Sequence, residues 1–163
     1  MSFQDRLQML EPIETWPSLY SAALERYWDG IDLATSPEAR RTAAIYLMGY
    51  VAEMLLKVAF FRVTGFPPGQ AVDLRAITTH AAWTKANLHN LDGLADLLIA
   101  ERGLRGRAFD PVFAGQLKAC VLTVASHWRE TLRYRHTPAA ETELVEVYQN
   151  VDWLRANATL LWS

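Results

Sequence analysis

The stretch from Ala43 to Phe61 constrains the fold of this chain more than any other segment. It is an almost unbroken apolar run, long enough for a helix that crosses a bilayer. Two charged residues, Glu53 and Lys57, lie inside it at a spacing that pairs them on one helical face. Because charge at the centre of a bilayer is costly, the pattern predicts the mostly buried central helix of a soluble bundle and no membrane span.

Proline, glycine and capping residues mark the ends of the predicted helices. Ser36-Pro37-Glu38 combines an N-cap residue, a proline at the first helical position and an acidic first turn, so we place the start of the central helix there. Gly65 and the Pro-Pro-Gly sequence at 67–69 end that helix near Thr64. The same signals place the other helices from Pro17 to near Gly30, weakly over 73–86, from Asn90 to Arg102-Gly103, from Asp110-Pro111 to about Trp128, and from about Pro138 onward.

The last segment has the most regular apolar pattern. Its apolar residues alternate at spacings of three and four, which predicts a helix with one buried face. These residues are Leu144, Val147, Val151, Leu154, Ala158 and Leu161. The sequence has no run with strand periodicity, no internal repeat and no long linker that would indicate strands or a second domain. We therefore predict one all-α domain over residues 1–163, an up-and-down-like bundle of four to five main helices, with 1–12 as a loosely ordered N-terminal arm.

Composition and charge narrow the range of functions. A lone cysteine, Cys120, cannot form an intramolecular disulfide and lies in an apolar stripe, which favours a small core residue over a nucleophile. We see no secretory signal and expect a cytoplasmic protein. The net charge of -2 argues against a bulk nucleic-acid binder, although residues 101–136 carry 7 Lys and Arg against 3 Asp and Glu. Arg102, Arg105 and Arg107 are read either as solvated loop residues or as part of a basic patch.

Most catalytic templates are missing from the sequence. It has no Gly-rich phosphate loop, no paired-histidine zinc motif and no paired cysteines, so we predict no metal and no cofactor. His89, Asp92 and Asp96 fall on one side of a helix and could hold a cation. Aspartate near a helix start is common, however, and we read His89 as a residue that orients the helix through a hydrogen bond.

The segment from Trp128 to Pro138 carries the strongest functional signal. It holds three arginines and a histidine in a connection between helices, where functional side chains are often displayed. Arginine binds phosphodiesters bidentately, and histidine exchanges protons at neutral pH, which together suffice for metal-free RNA cleavage. The alternative is that this basic segment caps the preceding helix and pairs with the acidic start of the last one. The acidic residues concerned are Glu141, Glu143 and Glu146.

Three segments resemble the HEPN superfamily of small helical bundles. The run from Ala43 to Lys57 is similar to the family's long helix with its embedded Glu and Leu-Lys pair. His89-Asn90-Leu91, followed by Leu94, looks like the His-polar-Leu start of the family's next helix. The sequence from Trp128 to Leu132-Arg133-Tyr134 is similar to the segment that precedes the family's last helix. Together the resemblance spans residues 37–161.

The resemblance implies an RNA-associated protein that acts as a homodimer. Active members of the family are metal-independent endoribonucleases of defence or toxin–antitoxin systems, with four to six residues between an arginine and a histidine. Carried over, the catalytic residues are Arg129 and His136, which six residues separate, and the substrate-binding residues are Arg133, Tyr134 and Arg135. Some toxin members have a tyrosine where this chain has Pro138. Other relatives are non-catalytic dimerisation or nucleotide- and RNA-binding modules, some with a nucleotidyltransferase-type antitoxin partner, and this alternative stays open.

Overall fold

Two long helices form the first layer of the bundle. The computed structural model describes residues 14–36, 40–134 and 137–163, so the predicted arm at 1–12 lies outside the described residues. Helix α1 is Trp16–Thr35 and helix α2 is Arg41–Val63. A capping box starts α1, in which the Thr15 side chain accepts a hydrogen bond from the Ser18 amide.

The connection between α1 and α2 differs from the prediction. Helix α1 continues past Gly30, where a Cβ atom would lie 2.9 Å from the Met48 side chain, so this glycine allows close packing against α2 instead of ending the helix. Ser36 is extended and ends α1, and it does not cap α2. Helix α2 begins at Arg41, with no side-chain cap from Arg40. Pro37 and Glu38 lie outside the described residues.

Helix α2 is the core of the molecule, as predicted. By length and composition alone it could cross a membrane, but 78% of its most apolar window is buried against other helices, as in a soluble protein. It packs against α1 and against four later helices, which are introduced below. Gly65, with a φ of 86°, follows its C-terminus, which confirms the predicted stop.

The second half of the chain completes an all-α bundle. Asn90 and Asp110 accept hydrogen bonds from the first-turn amides of their helices, which confirms both predicted caps. Within 73–86 only one turn is helical, and the last helix begins at Glu141, three residues later than predicted. The elements are α3 (Arg75–Thr78), α4 (Leu91–Leu104), α5 (Pro111–His127), a 3-10 segment (Glu130–Tyr134), α6 (Glu141–Ala156) and α7 (Ala158–Trp162).

The predicted apolar stripe of the last helix is buried throughout. It spans α6 and the short α7, which are separated at Asn157, and α6 packs against α2 and α5. Cys120 on α5 is half-buried, and burial raises the pKa of its thiol, which fits a packing residue better than a nucleophile. In the described residues the regular structure is helical apart from one isolated bridge between Thr15 and Ala71.

Of the arginines after residue 101, Arg105 and Arg107 are exposed residues beyond the end of α4, as the loop interpretation predicted, whereas Arg102 is not. Arg102 lies on α4 and is buried, and its guanidinium donates to the carbonyl oxygens of Leu161 and Ser163 at 3.3 and 2.7 Å. Burial lowers the pKa of Arg102. Arg105 donates to Glu101, and Arg107 is exposed. The three arginines therefore have different surroundings, although they lie close together in the sequence.

Candidate functional site

A groove lies where the 3-10 segment meets the start of α4 and the middle of α2. It consists of three adjoining cavities of about 370, 590 and 310 Å³. Thr131 lines all three, and Glu130 lines the two larger ones together with Asn87 and His89 from the α3–α4 connection. The segment that the sequence singled out therefore forms one wall of a concave surface.

A buried tryptophan fixes this wall to the core. The indole N–H of Trp128 donates to the carbonyl oxygen of Tyr46 at 3.0 Å, and its ring packs in T-shaped geometry against Tyr50. A Cβ atom at position 49 would lie 2.0 Å from the Trp128 ring, so only glycine lets the ring approach α2 this closely. Trp128 thereby sets the position of the residue that follows it.

That residue is Arg129, the first of the predicted catalytic pair. Its side chain is exposed and lines the cavities of about 370 and 310 Å³. Among the described residues it is the only lysine or arginine that lines the groove, and no hydrogen bond or ion pair joins its guanidinium to any of them. An unpaired guanidinium in a groove is suited to binding an anion.

The other predicted site residues are described to different extents. Tyr134 is exposed and lines the same cavity as Arg129, and its predicted contact with substrate stays a prediction. Arg133 lies in the 3-10 segment, and its side chain is not among the described atoms. Arg135 and His136 lie outside the described residues, so the predicted pairing of Arg129 with His136 stays a prediction.

The acidic start of α6 has partners that the sequence did not suggest. His127, the last residue of α5, contacts Glu146 at 2.7 Å through Nε2 and Glu143 at 3.9 Å through Nδ1. Arg41 on α2 lies 3.6 Å from Glu141. Arg129 contributes to none of these contacts, and the side chains of Arg133 and Arg135 are not among those described, so the alternative pairing of the basic segment with these glutamates stays a prediction.

A chain of polar contacts leads from the core to the groove. The Lys57 ammonium donates to Glu53 at 2.5 Å, which confirms the predicted pair, and both residues are buried. The second carboxylate oxygen of Glu53 lies 2.8 Å from Nδ1 of His89, so His89 does orient the start of α4 through a hydrogen bond. Its Nε2 lies 3.7 Å from Glu130, which accepts a hydrogen bond from Asn87 at 3.1 Å.

The sequence did not predict that His89 faces the groove. Its ring lies edge-on to Tyr50, with centroids 6.2 Å apart, and it lines the two larger cavities. The sequence feature that could have indicated this is the position of His89 directly before the N-cap residue Asn90, since a residue there lies beside the first turn of the helix. Locating the groove, however, required the placement of the 3-10 segment.

Asp92 and Asp96 bind the ammonium group of a lysine of the same chain. Both carboxylates accept hydrogen bonds from Lys118 on α5, and Lys85 lies 3.9 Å from Asp92. Burial acts against the charge of Lys118, but the two carboxylates outweigh it and raise the pKa of the ammonium. The described residues contain no cluster of His, Cys, Asp and Glu arranged to hold a metal ion.

The arrangement can bind an anion at Arg129 and exchange a proton at His89, and both groups line one cavity. Comparisons of the chain with family models, curated proteins and solved structures find no match.

Proposed function

We propose that this chain is a HEPN-like, dimeric RNA-binding protein of the cytoplasm that cleaves RNA without a metal ion. The observation that carries the proposal is the Arg129 guanidinium, which pairs with none of the described residues and lies in a groove that also exposes an imidazole. The resemblance of the segment from Trp128 to Tyr134 to the HEPN superfamily supports it independently.

The groove offers separate contacts for the parts of a single-stranded RNA. The Arg129 guanidinium binds the scissile phosphate and offsets the negative charge that increases in the transition state. Tyr134 is exposed in the same cavity and stacks on an unpaired base. Arg133 and Arg135 contact flanking phosphates, and His136 acts as an acid or base, as the sequence resemblance implies.

The dimer and the antitoxin belong to the proposal through the resemblance. A two-fold axis brings two copies of a site into one cleft, which gives a long RNA contacts on both subunits. A nucleotidyltransferase-type antitoxin would then act by covering or modifying this cleft.

Cleavage of RNA in EDTA tests the proposal. We expect the wild type to cut a labelled single-stranded RNA, and Arg129→Ala and His136→Ala to lose this activity while staying folded by circular dichroism. Arg107→Ala is the matched control, because Arg107 is also exposed but lines none of the three cavities. Equal cleavage by the wild type and Arg129→Ala would assign the activity to a contaminant or another site.

Binding separates the catalytic proposal from a non-catalytic module. Affinity for an RNA of about 12 nucleotides is measured by fluorescence anisotropy across a salt series. Loss of one phosphate contact in Arg129→Ala should make the slope of log K against log salt shallower by about 0.7. Binding without cleavage by the wild type identifies an RNA-binding module, and absence of both overturns the proposal.

A further inference from the structure

We infer that His89 is the general base of this site and takes the proton of a ribose 2′-hydroxyl at its Nε2 atom. The inference rests on the proposed function and extends it by naming a catalytic residue outside the Arg129–His136 pair. It comes from one feature of the fold: an imidazole held from behind by a buried carboxylate and open in front to the groove.

The buried side of the ring fixes its tautomer. Glu53 is buried and ion-paired with Lys57, and a carboxylate in an ion pair can only accept hydrogen bonds. Nδ1 of His89 lies 2.8 Å from this carboxylate and must therefore carry a hydrogen. In the neutral imidazole the lone pair then resides on Nε2, the atom on the opposite side of the ring.

The open side of the ring faces the place where substrate would lie. The His89 side chain is 39% exposed and lines the two larger cavities of the groove, one of them together with Arg129. Its Nε2 makes no hydrogen bond to any residue that the structure describes, and the nearest carboxylate oxygen, of Glu130, is 3.7 Å away. A phosphate bound by Arg129 would thus bring its adjoining ribose into the cavity that His89 lines.

The charged and titratable groups around His89 come from three elements. Helix α2 contributes Glu53 behind the ring and Tyr50 at its edge, and the 3-10 segment contributes Glu130. Asp92 at the start of α4 and Arg129 line the same cavity. Glu53 stabilises the imidazolium that forms when Nε2 accepts a proton, and Lys57 is ion-paired with the other carboxylate oxygen of Glu53. Glu53 is thus a positioning residue.

The reaction balances without a metal or any further reactant. Nε2 of His89 removes the 2′-hydroxyl proton, the 2′-oxygen forms a bond to phosphorus, and the bond from phosphorus to the 5′-oxygen breaks. The 5′-oxygen takes up a proton from solvent water as it leaves. The products are a 2′,3′-cyclic phosphate and a 5′-hydroxyl, so the ends of the fragments report the pathway.

The test uses a substitution that keeps the structural contact and removes the base. In His89→Asn the amide nitrogen can replace Nδ1 as donor to Glu53, while nothing replaces Nε2. We expect kcat to fall by about 10²- to 10⁴-fold with little change in KM or melting temperature. His80→Gln is the matched control. The glutamine amide can replace Nε2 of His80 as donor to a second buried glutamate, Glu101, and His80 does not line the groove. It should retain wild-type kcat.

A substrate with sulfur in place of the bridging 5′-oxygen distinguishes a base from an acid. A thiolate leaves without a proton, so loss of an acid is rescued on this substrate and loss of a base is not. His89→Asn should stay impaired, and the rising limb of its kcat against pH should be lost. The RNA fragments from the wild type should carry 2′,3′-cyclic phosphate ends.

Each contrary result has a distinct meaning. Rescue of His89→Asn by the sulfur substrate, or wild-type kcat in this variant, overturns the base role and leaves the RNase proposal standing. Fragments with 3′-hydroxyl ends also overturn the base role of His89, because such ends require attack by water and not by the 2′-oxygen. A wild type that binds RNA without cutting it, or does neither, removes the base role together with the RNase proposal.

Discussion

Two histidines of the α3–α4 connection are each held by a buried glutamate, yet they have different surroundings. His80 contacts Glu101 on α4, and His89 contacts Glu53 on α2, at 2.7 and 2.8 Å. Each glutamate also binds a cation four residues further along the chain: Glu101 binds Arg105, and Glu53 binds Lys57. The same set of groups thus occurs twice in one short stretch of chain.

The two histidine rings differ in how many of their nitrogens the protein occupies. His80 uses both, since Nδ1 accepts from the Ala82 amide at 3.1 Å and Nε2 meets Glu101. Its side chain is 16% exposed and packs edge-on to Phe60. His89 uses only Nδ1 in a hydrogen bond to the residues described. A histidine with both nitrogens satisfied holds two elements together, whereas one with a nitrogen directed at a groove can also act on a ligand.

The largest expected effect is on stability, when the cation that is ion-paired with each glutamate is replaced. Lys57→Met removes the ammonium from a pair whose side chains are 9% and 5% exposed, which leaves a buried charge without its main partner. We expect a loss of about 3–5 kcal/mol in the free energy of unfolding, measured by urea denaturation. Arg105→Met is the matched variant and should cost about 1 kcal/mol or less, because Arg105 is 43% exposed. Equal losses would mean that the two pairs do not differ in burial as described.

The next effect concerns the wall of the groove beside His89. Gly49→Ala places a methyl group where the Trp128 ring lies, and neither α2 nor the ring can move without disturbing the core. We expect a loss of about 1–3 kcal/mol in unfolding free energy and weaker RNA binding, because the ring positions Arg129. Gly115→Ala on α5 is the control, since its methyl group meets no atom within 4 Å and should stabilise the helix by about 0.5–1 kcal/mol. Unchanged stability in Gly49→Ala would show that Trp128 is not fixed by α2.

The sequence predicts the Glu53–Lys57 pair that holds His89 better than it predicts the groove that His89 lines. Glu53 and Lys57 pair through helical spacing, and the position of His89 before the Asn90 cap suggests a contact with the helix it precedes. The groove depends on the placement of the 3-10 segment, where no periodic pattern exists. The pairing of His80 with Glu101 could not be predicted from the sequence either, because the two residues lie 21 positions apart and His80 is in an irregular connection.

Local capping signals were reliable only where packing agreed with them. Asn90 and Asp110 cap their helices as predicted, since each side chain accepts hydrogen bonds from the first-turn amides of the helix that follows it. Ser36 has the same chemistry but ends α1 instead, since α1 continues past Gly30 to pack against Met48. The all-α fold was predictable because apolar periodicity extends over whole helices, whereas these boundaries depend on single contacts between helices.

The smallest expected effect concerns the acid titration of one of the two glutamates, Glu101. Burial acts to raise the pKa of Glu101, but hydrogen bonds from Arg105 and His80 outweigh it and hold this pKa below its usual range. A carboxyl with a depressed pKa in the folded state contributes stability that is complete above the unfolded pKa, about 4.3. That stability is lost as pH falls through the lower folded pKa. Unfolding free energy should therefore decrease from pH 6 towards about pH 3, through the protonation of Glu101 among other carboxyls.

Glu101→Gln isolates the contribution of this carboxyl. The variant retains an oxygen that can accept from Arg105 or His80 but has no proton to gain, so its curve of unfolding free energy against pH should be shallower than that of the wild type. Urea midpoints at pH 6, 4.5 and about 3.5 bracket the window between the unfolded and folded pKa values. Parallel curves would show that Arg105 and His80 do not favour the charged form of Glu101. His80 would then hold the connection to α4 through a neutral hydrogen bond, and the likeness between its glutamate and that of His89 would be one of geometry alone.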